Sequence, residues 1–153
     1  MDGGFSSCDI LLVEDNGQDV RLTREALAEA ELDCQLRVAA TGEEALNILR
    51  KQGEHREARR PDLVLLDINL PGLSGRDVLA AVKGDPALRT LPVLMLTTSR
   101  SESDVRACYE LHANSYLQKP LDFDRFKDML RSVHEYWRES VVPPPKPRRE
   151  GAK

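Results

Sequence analysis

Cysteine is scarce in this chain, and long apolar runs and an excess of basic charge are missing; each lack closes off a class of protein. Cys8, Cys34 and Cys108 are the only cysteines among 153 residues. Three scattered thiols make neither a disulfide framework nor a zinc site, so reduced thiols in the cytoplasm are expected. No apolar run approaches the ~18 residues of a membrane span. Met1 to Cys8 has neither the charged nor the apolar segment of a secretory signal. Lys and Arg number 22 against 26 Asp and Glu, for a net charge of −4. That balance argues against nucleic-acid binding by bulk electrostatics. His55, His112 and His134 lack metal spacing or a triad partner, and read as surface or helix histidines. No nucleic acid and no membrane are therefore expected among the partners.

What is present is alternation. At 41% hydrophobic and 31% charged, the composition is that of a globular chain. Its length suits one domain burying ~68–70% of its unfolded surface. DILLVED is a short apolar run, and Gln18 to Glu31 carries Val20, Leu22, Ala26, Leu27 and Ala30 at helical spacing. CQLRVA alternates as an edge strand should. Thr41-Gly42-Glu43-Glu44 has capping-box spacing and opens a second helix. After the polar loop GEHREARR comes DLVLLD, a third strand, and then a helix from Ser74 to Lys83 stopped by Gly84-Asp85-Pro86. PVLMLT, a helix from Glu102 to His112, the short strand NSYLQ and a long helix from Asp122 to about Ser140 complete the pattern. Five strand–helix units in succession imply a flavodoxin-like (βα)5 fold of the α/β class. Its doubly wound five-stranded parallel sheet should run in the order 2-1-3-4-5. Ligands in such sheets bind beyond the carboxyl ends of the strands, where the order reverses.

The strand ends carry the chemistry. Strand one ends in Glu14-Asp15, strand three in Asp67, strand four in Thr97 and strand five in Lys119-Pro120. An Asp at a strand end is more often a cap or turn residue, and Glu14-Asp15 before Asn16-Gly17 could simply cap a helix. Thr97 alone is an ordinary strand residue, and Lys119 alone a solvated charge. The combination is different. Three crowded carboxylates cannot all stay ionised cheaply. A hard divalent cation such as magnesium resolves the conflict. A carboxylate can also act as a nucleophile toward phosphorus, with a lysine and a hydroxyl neutralising the transferred group. A phosphatase of the Asp-x-Asp type is excluded because the second position is Asn69, which cannot protonate a leaving group. A flavin binder is excluded because it would want a Ser/Thr/Gly-rich phosphate loop after strand one, where Glu14-Asp15 would repel phosphate without a metal.

This set, with Tyr116 three residues before Lys119, resembles the receiver domain of two-component response regulators over roughly Asp9 to Arg138. The resemblance implies that Asp67 accepts a phosphoryl group from a phosphohistidine of a sensor histidine kinase. It implies that Glu14, Asp15, Asp67 and the backbone carbonyl of Asn69 hold Mg2+ or Mn2+, and that Thr97 and Lys119 bind the phosphoryl group. Tyr116 would turn inward when Thr97 moves, and the Lys119–Pro120 bond would be cis. Such a protein is a phosphoacceptor that assists its own phosphotransfer and slow dephosphorylation, not an enzyme in the ordinary sense. VEDNGQDVRLTREAL, LTTSRSESDVRACYELHANSYLQKP and Tyr136-Trp137 are also similar to single-domain regulators paired with bacterial phytochrome kinases.

Three segments are expected: an extension over 1–8, the receiver over 9–140, and a proline-rich tail over 141–153. VVPPPKPRREGAK is too short for a DNA-binding or enzymatic domain, so output should be contact with a downstream protein. The alternative is a phosphorelay intermediate or phosphate sink. Phe123, Phe126, Met129, Leu130, Val133, Tyr136 and Trp137 make an apolar surface wider than one core-facing stripe. Tyr136 and Trp137 either cover the sheet end or support a homodimer through the face running from strand four to helix five.

Overall fold

A computed structural model describes residues 8–98, 101–120, 122–139 and 142. Its elements run β1 (Cys8–Val13), α1 (Gly17–Glu29), β2 (Cys34–Ala39), α2 (Gly42–Arg50), β3 (Leu63–Leu66), α3 (Gly75–Gly84), β4 (Val93–Thr97), α4 (Glu102–Glu110), β5 (Ser115–Gln118) and α5 (Phe123–Glu139). The expected loop after α2 contains one turn of 3-10 helix, Gly53–His55. β1 begins at Cys8, and of the tail only Val142 lies among the described residues.

The sheet is parallel throughout, in the order β2-β1-β3-β4-β5. Its central strands are apolar on both faces because both are covered by helices. Leu11, Val13, Val64 and Leu66 pack with Leu46, Ile48, Val78, Leu79, Val82 and Cys108 on the side of α2, α3 and α4. Ile10, Leu12, Leu63 and Leu65 pack with Ala26, Leu27, Phe126 and Leu130 on the side of α1 and α5. Each fully buried Leu or Val contributes roughly 1.5–3 kcal/mol. β2 alternates exposed and half-buried positions before buried Ala39, as an edge strand does.

Caps fix where the helices start, and so where the loops at the sheet's carboxyl edge can go. Asn16 Oδ1 accepts from the Asp19 N–H at 3.1 Å at the start of α1. Thr41 Oγ1 accepts from the Glu44 N–H at 3.0 Å, but Glu44 reaches back one residue further than a capping box requires, to the Ala40 N–H. The complete capping box belongs to Ser74 and Asp77 at α3. The crossover from β1 to β2 runs to one side and the chain then returns to β3 on the other. The crevice is therefore flanked by the ends of β1 and β3.

Candidate phosphoacceptor and metal site

Residues from four strand ends, those of β1, β3, β4 and β5, gather at that crevice. Val13 is the last residue of β1, and Glu14 keeps the backbone in register by donating its N–H to Ala39 O at 3.0 Å. The Glu14 side chain is thereby turned inward and is only 2% exposed. It is not bare: Oε2 accepts from the Asn16 N–H at 3.2 Å. Asp15, the next residue, is exposed. Asp67 follows β3 directly, donates its N–H to Val13 O at 3.1 Å, and is 9% exposed.

Carboxylate oxygens of Glu14, Asp15 and Asp67 all lie within 4.8 Å of one another. Together with Asn69, Gly17 and Asp19 they line one open cavity. The turn behind Asp67 is tight. Gly75 N–H donates to Ile68 O at 2.8 Å, and a Cβ on Gly75 would stand 2.1 Å from Asp67 O. Gly72 has φ +71°, the left-handed region that glycine enters without penalty.

Lys119 closes the site from β5. Its N–H donates to Thr97 O at 2.8 Å, joining the last residue of β4 to the residue beyond β5. Its Nζ lies 2.5 Å from Glu14 Oε1, 3.0 Å from Asp19 Oδ2 and 3.9 Å from Asp67 Oδ2. Thr97 is fully buried. Tyr116 is half-buried against the α2–α3–α4 core, and its N–H donates to Tyr109 Oη at 3.1 Å. Of the expected residues, Glu14, Asp15, Asp67 and Lys119 thus meet directly. Asn69 lines their cavity, and Thr97 is tied to the lysine through the backbone.

One expectation is corrected. The Lys119–Pro120 bond is trans, since no cis peptide occurs among the described residues. Trans remains favoured by roughly 0.5–1 kcal/mol even before proline, and here the β4–β5 pairing continues through the Lys119 N–H without it. Of the histidines read as surface or helix residues, His134 sits on α5 and is buried. His55 does lie at the surface, its Nδ1 2.9 Å from Arg37 Nη2.

Asp19 was missed. In the sequence it is simply an acid in the first turn of a helix, where the dipole favours one. A hint was available in its position four residues after the acidic pair. Contact with a lysine 100 residues away was not readable.

The electrostatics follow from this crowding. Burial pushes the Glu14 carboxyl above the ordinary range, while the hydrogen bond and charge of Lys119 pull it back only in part. For Lys119, burial opposes the charge, but hydrogen bonds to Glu14 and Asp19 outweigh it and raise the ammonium above its usual value. One ammonium among four carboxylates leaves the site short of positive charge. Hard oxygen donors with open water on one side suit Mg2+ or Mn2+. We expect Mg2+ at a hundred times its Kd to add about 2.7 kcal/mol to stability. Asp15→Asn, an exposed change, should lose most of that gain in a thermal melt. Equal shifts for both proteins would place the cation elsewhere.

Known proteins are similar to this chain over most of its length. The family model described as the response regulator receiver domain matches residues 10–131. The response regulator Rcp1 of Synechocystis sp. is 44% identical over 135 residues, 88% of this chain and 92% of that protein. The crystal structure of Rcp1 in its Mn2+-bound form superposes with a TM-score of 0.82 at 43% identity, covering 90% of this chain and 99% of that one. The phosphorylated cyanobacterial phytochrome response regulator RcpA gives 0.85 at 40% identity, covering 91% and 99%. With the fold, the acidic trio and the strand-end lysine in place, this chain belongs to the response regulator receiver family.

Proposed function

We propose that Asp67 accepts a phosphoryl group from the phosphohistidine of a sensor histidine kinase of the phytochrome type. The observation that carries this is the Asp67 carboxylate, nearly buried at a strand end, with two more carboxylates and a lysine converging on it. Asp67 Oδ attacks phosphorus in line with the departing imidazole. The new O–P bond forms as the N–P bond breaks, and the electron pair stays on the imidazole nitrogen. Glu14, Asp15, Asp67 and the Asn69 carbonyl would hold the cation, which supplies charge neutralisation at the phosphoryl oxygens. Lys119 and the Thr97 hydroxyl take the remaining oxygens. Tyr116 reports the change by moving inward behind Thr97. The same groups later assist slow hydrolysis of the acyl phosphate. The similarity to Rcp1 and RcpA supports a phytochrome kinase as donor. The test is phosphotransfer from a light-driven phytochrome kinase. Labelling only by unrelated kinases would remove the phytochrome pairing.

No described helix is long and apolar enough to cross a membrane, and three free cysteines fit the cytoplasm, where we place the chain. Output leaves as protein contact, to a downstream protein and to a second copy. For the second copy we favour the β4-to-α5 face. Leu94, Leu117, Val133, Tyr136 and Trp137 line a mainly apolar groove there. Trp137 packs partly on the core while Tyr136 is 65% exposed. A dimer in sedimentation at micromolar concentration, lost on Tyr136→Glu, is expected; a purely monomeric wild type would sink it. The sink reading remains the alternative: a partner captured only in the presence of beryllofluoride distinguishes the switch from it.

A further inference from the structure

We propose that Asp19 is a positioning residue that competes with the phosphoryl group for the Lys119 ammonium, restraining phosphorylation until it lets go. This rests on the reading of Asp67 as acceptor. Asp19 touches no reacting atom; it acts through Lys119.

The argument starts from the ammonium's donors. Lysine has three N–H bonds and one positive charge. Two carboxylates stand nearer to Nζ than Asp67 does: Glu14 at 2.5 Å and Asp19 at 3.0 Å, against 3.9 Å for Asp67. Asp67, the group whose phosphoryl adduct needs the lysine, is therefore the least served of the three. A phosphoryl group on Asp67 adds negative charge and acceptor oxygens at that neglected corner. Something must then yield.

Burial says which carboxylate yields. The Glu14 side chain is 2% exposed, so releasing the ammonium would leave a buried carboxylate without its counter-charge. The Asp19 side chain is 37% exposed and can turn to water at little cost. Its helix role does not require the lysine. Asp19 N–H is held by Asn16 Oδ1 at the cap, and Asp19 O accepts from Thr23 Oγ1 at 2.8 Å, whether or not the side chain moves. An acid in the first turn suits the α1 dipole. That explains a carboxylate, but not one within 3.0 Å of a lysine on the far side of the sheet order.

The sign follows. Removing the Asp19 charge frees one ammonium donor, and it also lessens repulsion of an incoming phosphate-like anion. Both effects favour the phosphorylated form. Beryllofluoride serves as the probe, bound to Asp67 at saturating Mg2+ and followed by 19F NMR, with acetyl phosphate as the covalent donor. In the covalent reaction Asp67 Oδ attacks phosphorus and acetate departs with the electron pair of the broken P–O bond. Asp19→Asn should tighten beryllofluoride binding about threefold to fivefold and raise the acetyl phosphate rate similarly, the range a part-exposed ion pair supports. Asp19→Glu, which restores the charge, should return both to wild type. In a Lys119→Ala background the Asp19→Asn gain should largely vanish, because the cycle isolates their coupling.

An equal gain with and without Lys119 would overturn the proposal in favour of bulk charge. Unchanged or weaker binding in Asp19→Asn would overturn it outright. If wild type itself takes neither beryllofluoride nor phosphoryl, the acceptor reading fails instead, and the two failures are distinguishable.

Discussion

Asp67→Asn should carry no phosphoryl label after incubation with a phosphorylated histidine kinase under conditions that label wild type fully. An amide oxygen is a poor nucleophile and yields no stable acyl phosphate, so the loss is complete rather than graded. Shape is preserved, and the folded state should not suffer. Without metal, the wild type holds three carboxylates whose oxygens lie within 4.8 Å of one another. Removing one relieves like-charge repulsion, so the metal-free variant should melt at or above the wild-type temperature. A label that persists on the variant would move the acceptor to another residue. A variant that loses both label and fold would say nothing of the nucleophile, which is why the melt accompanies the assay.

The second large effect is at Gly75. A Cβ there would approach Asp67 O to 2.1 Å and Ile68 Cα to 2.7 Å. Both obstacles are backbone, so no side-chain rotation relieves them. Gly75→Ala must push the start of α3 away from the Asp67 turn, breaking the 2.8 Å bond from Gly75 N–H to Ile68 O. We expect a loss of about 3 kcal/mol, a large part of the 5–15 kcal/mol of a typical domain. The reacting carboxylate moves with the turn, and a displacement of about 1 Å can cost ~100-fold in rate. Gly84→Ala is the control. A Cβ at Gly84 meets nothing within 4 Å, at the exposed end of α3, so stability should hold or rise by a few tenths of a kcal/mol. Wild-type stability in Gly75→Ala would mean that the turn relaxes more easily than its contacts allow.

The two predictions separate what kind of information the chain carries openly. Asp67 is legible because chemistry and pattern coincide: an apolar run, a carboxylate, then Pro71 and Gly72. Gly75 is legible as a turn residue only. That its missing Cβ is what lets α3 sit against Asp67 is a matter of tertiary packing. The capping boxes show the same limit. Thr41 and Glu44 have the right spacing, yet Glu44 bonds Ala40 instead, while Ser74 and Asp77 form the complete box. Spacing proposes such pairs, and the approach angle of the preceding chain decides among them. His134 and Tyr136, two residues apart on α5, end up buried and 65% exposed respectively. A wide apolar stripe does not say where the core's edge will fall.

By itself the sequence determined the order of strands and helices, the residues at the strand ends, and hence the reaction those ends can support. Those are local properties: periodicity of two or near four, breakers, and side chains with one evident chemistry. Only the tertiary structure decided the partners. Lys119 and Glu14 are 105 residues apart, yet their charges meet at 2.5 Å. The sheet order brings the ends of β1, β3 and β5 around one crevice, and burial then forces the charges there to share. Asp19 joined that group through the direction in which α1 leaves β1. No pattern along the chain encodes that direction, because it is set by packing against α5 and the sheet.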